Sequence, residues 1–386
     1  MAQLTKNQIL ELSEPVERAY QKAVDQLLIN IAKHLQKPTS ISTADWQVKK
    51  LAEMGQLNRE NAAIIRKALA NMPQEVKDAM TAASRLALAD IEKAVLDAGK
   101  TPIPIDHITD LISAQSKQAI EQLNQVNTVM LDSGQKAFLK VINNTVMWEK
   151  AGLTNRDAAL DILNQAAQSV ATGSETRVEA LKRAIKQMAN EGLTGFVDRA
   201  GRHWSPEAYV NMDIRTTVHN TAIQSIKTRM DDYGTQVFQC SSHAASRPEH
   251  YPFQGKYYSW DNTQGHVELG NGKTVSYAPV SDTGYGTAAG LFGVNCTHTP
   301  IPVIPGVSIP HGKDNIEAEK ANDKAYAESQ QQRALERRIR EAKRKDIMLT
   351  KSGLGGDKAT VSRAQASMRE FVNSTGRKRR YDREQI

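Results

Sequence analysis

Between Phe238 and His311 the character of the chain changes, and this constrains the fold more than any single motif. Both cysteines and five of the nine histidines lie in that stretch. Glycine and proline concentrate there too, whereas the sequence before it carries helical periodicity. Such a shift marks a passage from helices to short strands and turns. The expected fold class is therefore α+β, mainly α. It combines an extended helical N-terminal region, a small turn-rich β-containing domain and charged C-terminal helices. The boundaries read as an N-terminal helical domain over 1–100 and a helical region with one long helix and a short hairpin over 101–235. A compact β/turn-rich domain follows over 236–312, then a charged helical segment with a basic tail over 313–386.

Composition agrees with several modest cores rather than one large one. The 386 residues are 40% apolar but only 5% aromatic, which suits many solvated helices. Two cysteines in this length exclude a disulfide scaffold and fit a reducing compartment. The opening Met1-Ala2-Gln3-Leu4-Thr5-Lys6 has no apolar core of a signal peptide. No apolar run approaches the roughly 18 residues of a spanning helix, so a cytoplasmic protein without a membrane segment is expected.

The net charge of +7 is unevenly placed. Arg340 to Ile386 holds 13 Lys/Arg against 6 Asp/Glu, and the preceding residues balance at 37 of each sign. A basic terminal segment can neutralise phosphates. Lys343, Arg344, Lys345, Arg377, Lys378, Arg379 and Arg380 are the candidate nucleic-acid contacts. The same charge also suits a solvated, solubilising tail.

Helical spacing is clear along most of the chain. Val16, Ala19, Tyr20, Ala23, Val24, Leu27, Leu28, Ile31 and Leu35 form one stripe, in a helix expected to begin near Ser13 with Pro15 in its first turn. Further helices are expected over about 44–54, with Trp46, Val48 and Leu51 inward, and over 58–70. Another over 73–98 carries Met80, Leu86, Ile91, Val95 and Leu96. Thr101-Pro102-Ile103-Pro104 reads as a stiff link. From Ile108 to Lys150, Ile112, Ala119, Leu123, Val126, Met130 and Ala137 make a narrow seam, with Ser116 and Ser133 in it. That seam fits self-association as a coiled coil, a helix hairpin, or packing on the first helices. Helices near 155–171 and 174–191 follow, then a hairpin over 196–204 turning at Gly201. Ser205-Pro206-Glu207 opens a strongly capped helix that Gly234 stops. Short strands are expected at 236–238, 256–260, 267–269 and 274–277. The sign-alternating region after Lys313 reads as a solvated helix, broken at Ser352-Gly353-Leu354-Gly355-Gly356 and followed by a last helix over 358–372.

The sharpest chemical constellation is Cys240-x2-His243-x6-His250 with Cys296-x-His298. Thiolates and imidazoles in turn-rich sequence can hold a structural zinc, which would staple a domain of this size. The spacing matches no standard zinc finger, and the histidines can equally cap turns. Catalysis has less behind it. Cys296 beside His298, or His243 with Glu249 and His250, supplies nucleophile and base types. No oxyanion-hole signature, acid cluster or His-Glu-x-x-His accompanies them. The chain is expected not to be an enzyme, and His219 is expected to be a packed or surface residue without a role.

One ordered set of short motifs remains. It runs Gly195-Phe196-Val197-Asp198-Arg199-Ala200-Gly201-Arg202-His203-Trp204, Tyr209-Val210-Asn211-Met212 and Arg215-Thr216. It continues with Ser241-Ser242-His243, Ala245-Ser246-Arg247-Pro248 and Gln254-Gly255-Lys256-Tyr257-Tyr258-Ser259. It closes with Asn295-Cys296-Thr297-His298 and Ile304-Pro305-Gly306. This resembles the tailed-phage minor capsid protein 2 family and, more distantly, the phage-Mu-type head morphogenesis proteins. The resemblance implies a structural virion protein in the head interior or at the portal vertex, made in the host cytoplasm. It implies portal or major capsid protein as partners, a part in head assembly and in DNA packaging or delivery, and packaged double-stranded DNA near the basic C-terminus. A DNA-binding or nuclease-like effector delivered with the genome is the alternative. The resemblance also implies His243, His250, Cys296 and His298 as the metal-ligand quartet, with Cys240 outside the pattern.

Overall fold

The computed structural model describes residues 5–36, 43–97, 99, 101–104, 106–162, 177–193, 195–197, 203–309 and 318–386. The chain is α+β and mainly α. Among the described residues eight α-helices run α1 (Lys6–His34), α2 (Thr43–Ala68), α3 (Met72–Asp97), α4 (Asp106–Ile162), α5 (Arg177–Glu191), α6 (Pro206–Asp232), α7 (Glu319–Lys351) and α8 (Lys358–Thr375). A hairpin of β1 (Phe196–Val197) and β2 (His203–Trp204) precedes α6, antiparallel as expected. Its turn at Gly201 lies outside the described residues, as does the second half of the helix expected over 155–171.

Three helix readings change: the helix expected to end near Lys150 and the start of the one expected from 155 are one continuous helix, α4. Pro15 does not open α1 but lies inside it, with regular helix from Lys6. The two helices expected over 44–70 are one. Its buried stripe is Trp46, Lys50, Leu57, Asn61 and Ile65, spaced by four residues or by seven, two turns, with polar members. Val48 and Leu51 fall off that stripe and are 67% and 39% exposed. Likewise α3 buries Met80, Ile91 and Val95 but leaves Leu96 out.

The chain divides into two compact units, each assembled from three stretches. The first comprises Met1–Arg18, Asn71–Asn124 and Tyr209–Gln331, the second Ala19–Ala70, Gln125–Ala208 and Gln332–Ile386. In both, the α4 seam is consumed by the chain itself. Ser116, Ala119 and Leu123 are buried in the first unit, where the Ser116 hydroxyl meets the Met80 sulfur at 3.2 Å. Val126, Met130, Ser133, Ala137 and Phe138 are buried in the second. Intrachain packing therefore covers most of the seam, with Ile112 half-buried.

A five-stranded mixed sheet sits in the first unit, in the order β5-β6-β4-β3-β7. The strands are β3 (Val237–Cys240), β4 (Tyr257–Ser259), β5 (Gly265–Glu268), β6 (Thr274–Pro279) and β7 (Pro300–Pro302). β4 and β6 are parallel and the other pairs antiparallel. No strand was expected at β7, where Pro300 and Pro302 each lack a backbone donor. It survives as an edge, where proline costs least, pairing Gln239 with Ile301 and Cys240 with Pro300. Phe238 is fully buried against Trp260, Phe292 and Tyr258, with ring centroids 4.4, 5.8 and 6.0 Å away. Val267, Leu269 and Val303 form a second small cluster.

Buried ion pairs tie the helices. In the first unit the fully buried Arg229 side chain pairs with Glu92 and Asp232 and donates to the Ile103 carbonyl at 2.5 Å. It thereby anchors the stiff 101–104 link. Arg215 grips Glu17 with two donors, and Ser13 adds a hydroxyl to the same carboxylate at 2.7 Å. In the second unit Arg344 joins Asp25 at 2.7 Å and Glu207 at 3.1 Å.

Asp25 is only half satisfied. Its Oδ1 accepts from Arg344, while its buried Oδ2 has no hydrogen-bond partner. Burial pushes its pKa from the ordinary 3.8 up to about 6, more than the Arg344 charge pulls it down. The folded chain thus takes up this proton before the unfolded chain does. Asp25 contributes stability that is present below pH 3.8 and lost as pH rises through about 6. The difference corresponds to at most about 3 kcal/mol. Asp25→Asn should remove this contribution, giving a flatter stability profile between pH 4 and 7 in denaturant titrations.

Candidate functional site

The sheet brings the cysteines and most of the central histidines to one place. Cys240 ends β3. His250 lies in a 3-10 turn, Pro248–Phe253, whose first proline sets the entry dihedral and whose backbone closes through His250 N–H to the Arg247 carbonyl at 2.9 Å. Cys296 and His298 lie two apart in the segment entering β7, on one side of the chain. That segment is held by Ser241, whose N–H donates to the Thr299 carbonyl at 3.0 Å and whose hydroxyl accepts from Thr299 N–H at 2.8 Å.

His250, Cys296 and His298 are all buried, and one donor atom from each lies within 4.8 Å of the others. Cys296 Sγ is 3.5 Å from His250 Nδ1 and 3.5 Å from His298 Nδ1. The far nitrogens face oxygens that can only accept. His250 Nε2 lies 2.8 Å from the Ala289 carbonyl and His298 Nε2 lies 3.3 Å from Gln254 Oε1. Each Nε2 must therefore carry its hydrogen, leaving each Nδ1 as a bare lone pair turned towards the sulfur. The loop presenting Ala289 needs Gly290, since a Cβ there would stand 1.9 Å from the Gly284 carbonyl oxygen.

His243 has the opposite arrangement. Its ring stacks on His298 at 4.4 Å between centroids. Its Nδ1 donates to the Ala244 carbonyl at 3.1 Å, so its Nε2 accepts from the Thr297 hydroxyl at 3.0 Å. Both nitrogens are used, and the structure places His243 beside the cluster rather than in it. Cys240 is buried nearby with its thiol towards the Ser241 carbonyl at 3.5 Å. Neither cysteine is in a disulfide.

Two residues gain parts that the sequence did not suggest. Gln254 accepts from His298 and, at 2.7 Å, from the His243 backbone N–H. His219, fully buried on α6, donates Nε2–H to the His298 carbonyl at 2.7 Å. A signal was available for His219: it follows the ion-paired Arg215 by four residues, beside the buried Val218 and Ala222. For Gln254 the signal was its place at the head of the motif Gln254-Gly255-Lys256-Tyr257-Tyr258-Ser259.

Burial keeps the histidines neutral. It lowers His219 and His243 to about 4, the charge of Lys6 also acting on His243. It lowers His250 too, and takes His298 well below its ordinary value. Burial pushes the Cys296 thiol up, while the backbone N–H groups of His298, Phe292 and Thr297 and the Arg247 charge pull the other way. Cys240 is pushed up by burial and by Cys296.

The basic candidates are placed differently from expectation. Arg344 is buried in its pairs with Asp25 and Glu207, so it is not a phosphate contact in this structure. Lys345 pairs with Asp357 at 3.0 Å and Lys343 donates to the Glu384 carbonyl at 2.8 Å. Arg377 donates to Gln332 at 2.8 Å, Arg379 pairs with Glu384 at 2.6 Å and Arg380 with Asp382 at 3.1 Å. Of the seven, Lys378 alone is exposed.

The residues around this centre belong to a known class of virion protein. The family model for phage minor capsid protein 2 matches residues 4–161 and 160–373, and the chain belongs to that family. It is 29% identical over 356 residues to a structural protein of Lactococcus phage LL-H, covering 88% of each chain. A structural protein of Lactococcus phage mv4 is 34% identical over 115 residues, 28% of this chain and 92% of the relative. No solved structure matches.

With both thiols buried and unpaired, the native protein should show no fast-reacting cysteine towards a thiol reagent, and two after denaturation. Counting modified thiols by intact mass before and after adding denaturant checks this.

Proposed function

We propose that the chain is a minor structural component of a tailed-phage head that acts in assembly and not in catalysis. The observation that carries this reading is the family match, which spans both units of the fold. The structure supports it in one further respect. The Cys/His cluster is buried, unlike a nucleophile–base pair open to substrate. Among the described residues no helix is long and apolar enough to cross a membrane.

Within this reading the protein docks on the portal or the major capsid protein, in the head interior or at the portal vertex, after synthesis in the host cytoplasm. The off-stripe Val48 and Leu51 of α2 are apolar side chains available for such contact. Packaged double-stranded DNA is the further partner. Exposed Lys351, Lys358, Arg363, Arg369 and Lys378 support this better than the internally paired cations.

Quantitative mass spectrometry of purified virions, before and after genome release, tests the assembly reading. The protein should be present at low copy, and its deletion should yield defective heads without loss of any DNA-cleaving activity. Absence from virions, or nuclease activity abolished by chelation, would favour the effector reading instead. For DNA binding, the combined change of Lys358, Arg363, Arg369 and Lys378 to Gln should weaken affinity. It should also flatten the salt dependence by about 0.9 in logarithmic slope for each phosphate no longer neutralised. An unchanged slope would remove DNA from the set of partners.

A further inference from the structure

We infer that His250, Cys296 and His298 form a zinc site, binding through the Nδ1 atoms of both imidazoles and the Cys296 thiolate. The first reason is a proton count. The two Nδ1 atoms are bare lone pairs, because their Nε2 partners donate to the Ala289 carbonyl and to Gln254 Oε1. A neutral Cys296 has one S–H to offer. It can satisfy one Nδ1 at 3.5 Å and must leave the other, at the same distance, facing sulfur without a hydrogen. An unsatisfied buried acceptor is costly. A cation at the centre satisfies all three donors together.

Distance is the second reason. Zinc–sulfur bonds of about 2.3 Å and zinc–nitrogen bonds of about 2.0–2.1 Å, at a tetrahedral angle, put sulfur and nitrogen about 3.5 Å apart. Both Sγ–Nδ1 separations have that value. Third, the surroundings are those that orient metal ligands. Each imidazole donates its other N–H to a fixed oxygen, and His219 holds the His298 carbonyl from α6. Backbone N–H groups of His298, Phe292 and Thr297 act on the Cys296 sulfur. Two imidazoles with one thiolate suit zinc more than calcium or magnesium, which take oxygen donors.

His243 and Cys240 stay outside the ligand set: the His243 Nε2 lone pair accepts from the Thr297 hydroxyl, and the Cys240 thiol is turned to the Ser241 carbonyl. Among the described residues this group supplies three ligand atoms and no fourth. Zinc binding expels the Cys296 S–H proton to solvent and leaves both Nε2–H groups in place. The ion would join the 3-10 turn at His250 to the segment entering β7, closing the loop between them. This inference does not depend on the assembly reading.

The test uses the full chain, expressed without a histidine tag in zinc-supplemented medium. About one zinc per chain is expected by elemental analysis. Exchange into cobalt should give the charge-transfer absorption of a single thiolate–cobalt bond. Cys296→Ser should lose the metal and the band, and Cys240→Ser should keep both. Chelation should lower the melting temperature of the wild type and of Cys240→Ser. Less than about a tenth of a zinc per chain in the wild type, with no cobalt band, would overturn the site. A Cys240→Ser protein that loses its metal would overturn this ligand set. Should Cys296→Ser not fold, the wild-type stoichiometry and the one-thiolate spectrum decide on their own.

Discussion

Long helices in water are held mainly by the apolar stripe they bury, not by their own propensity. Every large element here depends on that constraint. α1 buries Val16, Tyr20, Val24, Leu27, Leu28 and Ile31 along one face. α4 buries a seam narrow enough to admit Ser116 and Ser133, and it is covered in each unit by other helices of the same unit. Because the stripes include polar positions, the packed surfaces carry ions as well as hydrocarbon. Arg229, Arg215 and Arg344 are each matched by carboxylates, and removing one partner would strand a charge in a dry interior.

The sheet solves a different problem. Its five strands are short, with only a small apolar core around Phe238, Trp260 and Phe292. A small core gives little stability by itself, so such units lean on other devices. One device is the contact with α6, where His219 reaches the His298 carbonyl. Another is the clasp in which Asn322 of α7 accepts from the Ser246 N–H and donates back to its carbonyl. The Cys/His centre lies in the same region and links the 3-10 turn to the last strand. The family's structural role, and the burial of the reactive side chains at this centre, fit a part built to be held in shape.

Much of this was legible beforehand. The stripes of α1 and α3, the capped start of α6 and the change of composition at Phe238 all follow from local rules of periodicity and turn chemistry. The motifs from Gly195 to Gly306 pointed to the family that the chain belongs to. Misreadings came where local signals were ambiguous. Val48 and Leu51 are apolar and helical, yet the buried stripe of α2 passes through Lys50 and Asn61 instead. β7 had no counterpart among the expected strands, since two prolines in three residues leave no strand signal, and its edge position accommodates them.

By itself the sequence determined the helical content, the place of the small sheet and the types of residue gathered near it, because these depend on neighbours within a few positions. Only the tertiary structure decided which atoms of those residues meet. His243 and His298 both occur in short Cys/His motifs, but opposite ring nitrogens carry the hydrogen, set by the adjacent Ala244 carbonyl for His243 and by the amide oxygen of the distant Gln254 for His298. In the basic tail Arg344 is likewise taken up by Asp25 and Glu207, far away in the chain, whereas Lys345, Arg379 and Arg380 pair with carboxylates of the tail itself. Partners far apart in the chain leave no local periodic trace, so their pairing is settled by packing alone.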